Sequence, residues 1–340
     1  MRNSIIFFCL GLLLFLGSCS EKDNGCVDQP DISDVKINLE VEALHDDLLS
    51  IESKEALQTF LNENPIITRY FLQSNQYPSE EVMLDALFKR FTNPHIDTLN
   101  MEINRVFGDL SGLKTDLQKA FQHLKYYYPQ ASIPRVKTVA TGFEYDLYLS
   151  DSLIVIGLDY YLGPDAKYRP TKLFNYMLKR YAPEYIVPSI MLLYGISDRY
   201  NKTDISDNTI LSDMIAYGKS FYFAKHMMPC TPDSILIWYN TKEIQGVRAN
   251  QDIIWAHFVE EELLFETDHM VKKKYIDPRP NTYEIGNDAP GRIGTWLGWQ
   301  IVKKYAGESN ATLKEIMNKQ DPKAIFNESK YKPDKGRDIL

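Results

Sequence analysis

Cysteine and histidine are scarce in this chain of 340 residues, which holds four of the first and six of the second. No cysteine pair has the spacing of a zinc site and no histidine opens an HExxH, so the usual signatures of structural and peptidase zinc are missing. A Gly-rich phosphate loop is absent, as is a G-x-S-x-G elbow, and with them go the marks of nucleotide-driven and α/β-hydrolase chemistry. Basic residues are outnumbered: the formal net charge is −8, which argues against nucleic acid as a partner. Internal repeats and low-complexity tracts are also lacking. What remains is an ordinary globular composition, rich enough in aliphatic and aromatic residues for a sizeable core.

The N-terminus carries the clearest address. After Arg2, residues 5–16 form an apolar run too short to span a membrane and of the right size for a signal-peptide core. It ends in Leu16-Gly17-Ser18-Cys19, which resembles a bacterial lipobox, so residues 1–18 are expected to be removed and Cys19 to carry the lipid. Several acyl chains on one residue give stable anchoring to a membrane. Residues 19–34 are polar, with Gly25 and Pro30, and read as a flexible tether; Ser20, Glu21, Lys22 and Asp23 lean acidic, like export signals of surface lipoproteins. Once Cys9 leaves with the signal and Cys19 is acylated, Cys26 and Cys230 are left, and Cys26 lies in the tether. No disulfide is expected, and the fold should be held by its core.

Val35, Ile37, Leu39 and Val41 alternate with polar residues, which predicts a strand with one wet face. Helical periodicity then covers 46–72, broken at Pro65, restarts at Ser79, and runs through Leu110, Leu113, Leu117, Phe121 and Leu124 to Pro129. Residues 135–140, 143–149 and 153–158 are rich in Val, Ile, Phe and Tyr and predict a small meander or hairpin. Helices are expected beyond it over 171–181, 183–199, 210–228, 241–275, 290–305 and 313–318, with a last short one opened by Asp321-Pro322. The fold class is therefore α+β, predominantly helical with a small antiparallel or mixed sheet, in one domain over 35–340. The loop 276–290 is the expected place for a lid or partner surface.

Residues 290–305, PGRIGTWLGWQIVKKY, carry the densest signal, with Asp288 as the expected cap and Pro290 at the first helical position. Gly291, Gly294 and Gly298 fall on one face and strip it of side chains. That face should either be crossed closely by the helix containing Gly218 or form a groove near Arg292, Trp296, Trp299 and Gln300. In MIAYGKSFYF, Lys219 stands beside Tyr217 in an apolar helix, where it should be ion-paired or face a ligand. A hydrolase would have to draw on His257, Glu260 and Asp159. Yet WAHFVEEELLFE is explained by an apolar stripe beside a charged face, and His257 with Glu261 lacks the second histidine of an inverted zinc motif. No catalytic residue, metal or cofactor is assigned.

Four segments, VIGLDYYLG at 155–163, MIAYGKSFYF at 214–223, PGRIGTWLGWQIVKKY at 290–305 and SKYKP at 329–333, resemble the gliding-motility lipoprotein family GldB. The resemblance implies a Bacteroidetes lipoprotein of the cell envelope, in the outer membrane, working with other envelope or motility proteins. The family in turn resembles zincin-like metallopeptidase domains, in which one helix carries HExxH and a later one an acidic ligand before Gly. Here the helix over 183–199 has no histidine, and Tyr217 stands before Gly218 where the acid would be. A non-enzymatic scaffold or binding component is thus implied, with an unconventional hydrolase, or a carrier of lipid or peptide in the Gly294 and Gly298 groove, as the alternatives.

Overall fold

The computed structural model describes Cys26 and residues 29–333. The signal peptide, Cys19 and the tether up to residue 25 lie outside the described residues. Strands β1 (Val41–Ala43), β2 (Arg135–Val139), β3 (Leu147–Leu149) and β4 (Leu153–Gly157) form one mixed sheet in the order β1-β2-β4-β3. β2 is parallel to both β1 and β4, with Val136 opposite Val41 and Ile154, whereas β3 and β4 form an antiparallel hairpin. β4 is buried along its whole length, which accounts for its unbroken apolar run. The alternation that begins at Val35 yields only a three-residue strand, because β2 offers partners to Val41, Glu42 and Ala43 alone. Likewise the strand expected over 143–149 shrinks to β3, since Phe143 turns into a positive φ and joins a loop around Asp159.

Five helices lie between β1 and β2: α1 (Leu44–Leu49), α2 (Lys54–Glu63), α3 (Glu80–Phe91), α4 (Ile96–Phe107) and α5 (Ser111–Tyr127). Of these α1, α4 and α5 have no side-chain cap, and α4 was not expected from the sequence. After the sheet come α6 (Asn175–Leu178), α7 (Ile186–Ile196), α8 (Ile210–Met227), α9 (Asp233–Ile237), α10 (Thr241–Ala249), α11 (Gln251–Glu260), α12 (His269–Ile276), α13 (Ile293–Ser309), α14 (Leu313–Asn318) and α15 (Pro322–Ser329). With 57% of the chain helical beside one small mixed sheet, the fold is α+β. Local chemistry sets many of these starts. Ser53, Ser79 and Thr209 accept from the backbone N–H three residues on, Asn240 with Glu243 and Thr312 with Glu315 close capping boxes, and Asp321 caps α15 with Pro322 in its first turn. The single helix expected over 241–275 is divided for the same reason: Glu262 adopts a left-handed conformation and Asp268 accepts from Met270 and Val271, opening α12.

α8 is the hub. It packs against α7 and α13, and also touches α5, α9, α12, α14 and α15. The crossing with α13 is close because two glycines meet there: a Cβ on Gly298 would lie 1.9 Å from the Met214 carbonyl oxygen, and one on Gly218 would lie 2.5 Å from the Gly298 carbonyl oxygen. Backbone fills the space that a groove would have occupied. Gly294 faces α12 instead, where Tyr275 and Ile276 cover it. Nor does Asp288 cap α13; that helix starts three residues later, behind Arg292 in a left-handed conformation, while Asp288 is paired with Lys242 at the surface.

Two further expectations are corrected. Cys26 and Cys230 are joined by a disulfide across 204 residues of sequence, so the chain is fixed to the body inside the stretch read as tether. Lys219 is fully buried but has no carboxylate partner among the described residues; its ammonium donates to the Met317 and Lys319 carbonyl oxygens at the C-terminal end of α14. Those carbonyls have no helical partners of their own, and the negative end of the helix dipole suits a cation. The loop 276–290 is tied down as well: Thr282 is buried, donates through Oγ1 to Pro290, and pairs its N–H with Ala289.

Candidate functional site

A cavity of about 280 Å³ opens where α7, α8 and the start of α13 come together. Helix α7 carries apolar side chains nearly all round, IVPSIMLLYGI, so the face it does not bury in the core is still apolar, and Leu192, Leu193 and Ile196 present it to the cavity. Leu193 is 47% exposed and marks the solvent side. Tyr217, Ser220 and Phe221 supply the α8 wall, and Leu147 of the edge strand with Tyr161 supplies another. Ser220 is satisfied, donating to the Leu192 carbonyl at 2.7 Å.

The inner end is cationic. Arg292 is 8% exposed, and among the described residues its one side-chain hydrogen bond runs from Nη1 to the Ile237 carbonyl oxygen at 3.1 Å. No carboxylate among the described residues lies within ion-pair distance of it, or of Arg180, which also lines the cavity. Both guanidinium groups stack on one indole: Cζ of Arg292 is 4.1 Å from the Trp238 ring centroid and Cζ of Arg180 is 4.7 Å from it. Trp238 holds this place through a left-handed backbone at the end of α9, and its Nε1 is buried without a partner. Burial pulls the Arg292 guanidinium down to about 10, and the nearby Arg180 charge acts in the same direction. It remains charged at neutral pH. The one acid in the lining, Asp146, accepts from the Tyr181 hydroxyl at 2.8 Å, and that hydroxyl in turn accepts from Arg180 at 3.0 Å. Burial and this carboxylate push the Tyr181 hydroxyl up to about 12.

Of the residues singled out by sequence, the cavity brings together Arg292 and Tyr217. The others serve packing. Trp296 is buried, Trp299 stacks on Phe221 at 5.2 Å, and Gln300 reaches back to the Trp296 carbonyl of its own helix; Gly294 and Gly298 are covered by backbone, and Lys219 caps α14. The hydrolase candidates stay apart. His257 contacts the Tyr275 hydroxyl from α11, Glu260 sits at the exposed end of that helix, and Asp159 is sealed behind β4 with its Oδ2 bound to the N–H groups of Thr141 and Phe143. Among the described residues no three His, Cys, Asp or Glu side chains converge as a metal-binding group. Sequence reading missed Arg180, Trp238 and Asp146. Arg180 and Asp146 fall in segments read only for their helix or strand pattern, Trp238 falls between expected helices, and only the fold assembles the three.

A family model described as gliding motility protein GldB matches residues 25–333, nearly the whole chain. No curated protein matches the chain, and no solved structure does.

Proposed function

From the premise that this chain belongs to the family of the gliding motility protein GldB, we propose that it is a lipid-anchored, non-enzymatic binding component of the motility or envelope machinery. Its body, from residue 35 onward, works as one domain held to the outer membrane through Cys19. No helix among the described residues is long and apolar enough to cross a membrane, so attachment through lipid fits the lipobox. The observation that carries the binding reading is the cavity between α7 and α8. In the peptidase-like arrangement that the sequence resembles, those two helices would hold the metal ligands; here they present Ser189, Leu192, Leu193, Ile196 and Tyr217 around a space with unneutralised arginine at its inner end. Such a surface binds and orients, and offers no pair of groups for proton transfer at a scissile bond.

Colony spreading tests this reading. In a gliding host lacking its own family member, the wild-type chain should restore spreading. Cys19→Ala, which removes the acyl acceptor, and Leu193→Trp, which crowds the cavity from its exposed side, should both fail while the folded protein accumulates. Full restoration by either variant would contradict the corresponding half of the proposal, anchor or cavity.

A further inference from the structure

We propose that the cavity between α7 and α8 takes a monoanionic apolar acid, an acyl chain ending in a carboxylate, with Arg292 and Arg180 receiving the head and Leu147, Leu192, Leu193 and Ile196 the chain. This rests on the cavity being a binding site and adds what it binds.

Charge selects the head. Arg292 is more than nine-tenths buried, with a single hydrogen bond for a group that has five N–H donors. A buried cation without a counter-ion is costly, and a bound anion removes that cost. Arg180 is drawn to the same indole, so two like charges are held near each other, an arrangement that an anion between or beside them relieves. Against the two guanidinium groups the lining holds one acid, Asp146, which is linked to Arg180 through the Tyr181 hydroxyl. One positive charge is therefore left, which matches a carboxylate and not a doubly charged phosphate. A planar fork also suits a carboxylate, which accepts two parallel N–H bonds from one guanidinium.

Shape and lining select the rest. About 280 Å³ is at the small end of the roughly 300–1,000 Å³ usual for small-molecule sites. Beyond the arginine end, the α7 wall offers aliphatic side chains and few hydrogen-bonding groups. A polypeptide terminus would bring backbone N–H and C=O groups into that wall with little to pair them, at a cost of roughly 1–3 kcal/mol for each one left bare. An acyl chain brings none. The unpartnered Nε1 of Trp238 lies at the cationic end, in place to add a neutral donor to an acid head if the indole shifts.

Calorimetric titration of the purified full-length body with sodium dodecanoate, kept below its micelle threshold, tests this. One equivalent should bind and raise the melting temperature, because a ligand of the native state stabilises it by mass action. 1-Dodecanol should bind at least tenfold more weakly, acetate should not register, and Arg180→Gln should weaken dodecanoate by roughly tenfold, the loss of one charge-assisted contact. Because Arg180 is half-buried and has no carboxylate within ion-pair distance among the described residues, that variant should still fold; Leu193→Trp, which leaves both arginines, should block binding sterically. Equal affinity for the alcohol and the acid would overturn the role of the arginines. Binding of acetyl-trileucine as its free carboxylate, but not of dodecanoate, would assign the cavity to a polypeptide terminus and overturn the proposal. No binding by any probe would overturn it too, and spreading lost in Leu193→Trp would then still uphold the cavity as functional.

Discussion

Asp159 shows how a single buried group ties stability to pH. It is wholly buried at the end of β4, and although two backbone N–H groups donate to Oδ2, its Oδ1 has no partner. Burial outweighs the hydrogen bonds and pushes the carboxyl up to about 6 from an ordinary 3.8. The folded chain therefore holds a proton on Asp159 that the unfolded chain has already released between those two values. Its contribution is fully present below pH 3.8 and is lost as pH rises to about 6, in total roughly 3 kcal/mol. Asp159→Asn keeps an acceptor for the two N–H groups and removes the titration. Denaturant midpoints taken from pH 4 to pH 6.5 should lose that downward component in the variant relative to the parent. Parallel profiles would mean that Asp159 is ionised throughout. Lys219 makes a second residue-scale case: Lys219→Met takes the ammonium from the Lys319 carbonyl and leaves the Met317 carbonyl with the Lys202 N–H alone, and should destabilise by about 1–3 kcal/mol, read as a lowered urea midpoint at unchanged slope.

At the scale of elements, the glycine spacing in α13 was legible because sterics leave little choice: small residues four apart on an apolar helix invite a second backbone, and α8 brings Gly218 to Gly298. A methyl group on Gly298 would meet the Met214 backbone, which cannot move aside as a flexible side chain can. Gly298→Ala is therefore expected to cost about 1–3 kcal/mol or more, as overpacking does. Gly307→Ala on the same helix meets nothing within 4 Å, and should stabilise by about 0.5–1 kcal/mol through helix propensity alone. Thermal unfolding of both variants separates packing from propensity, and equal shifts would contradict the close crossing. Other elements were illegible for a physical reason. Whether residues 35–40 pair depends on how much edge β2 leaves free, and the breaks in 241–275 depend on which of several polar residues turns its side chain back to the main chain. Hydrophobic period reports burial, and these features are decided by hydrogen bonds. The cavity suffers most from this, since its arginines and Trp238 come from the end of α6, the end of α9 and the start of α13.

For the whole molecule, if the proposed anchoring through Cys19 holds, the disulfide sets how far the body can stand from the membrane. With the proposed lipid on Cys19 and the chain fixed at Cys26, six residues lie between anchor and body, a reach of at most about 25 Å. Without the bond the chain is next held at Val35, whose carbonyl accepts from Gln122, and the reach grows to about 55 Å. Cys230→Ala should lower stability by about 2–4 kcal/mol and raise the protease sensitivity of the N-terminal segment; a reductant-independent midpoint in the wild-type chain would show that the bond bears no load.

Native mass spectrometry of the intact lipoprotein, purified gently from its own envelope, asks most directly whether this is a binding protein with a filled cavity. The expected result is one non-covalent adduct of a small organic acid in addition to the proposed lipid on Cys19, present in the wild-type chain and absent from Leu193→Trp. A wild-type chain that flies without any adduct, at the same ligand-free mass as a folded Leu193→Trp corrected for the substitution, would contradict it.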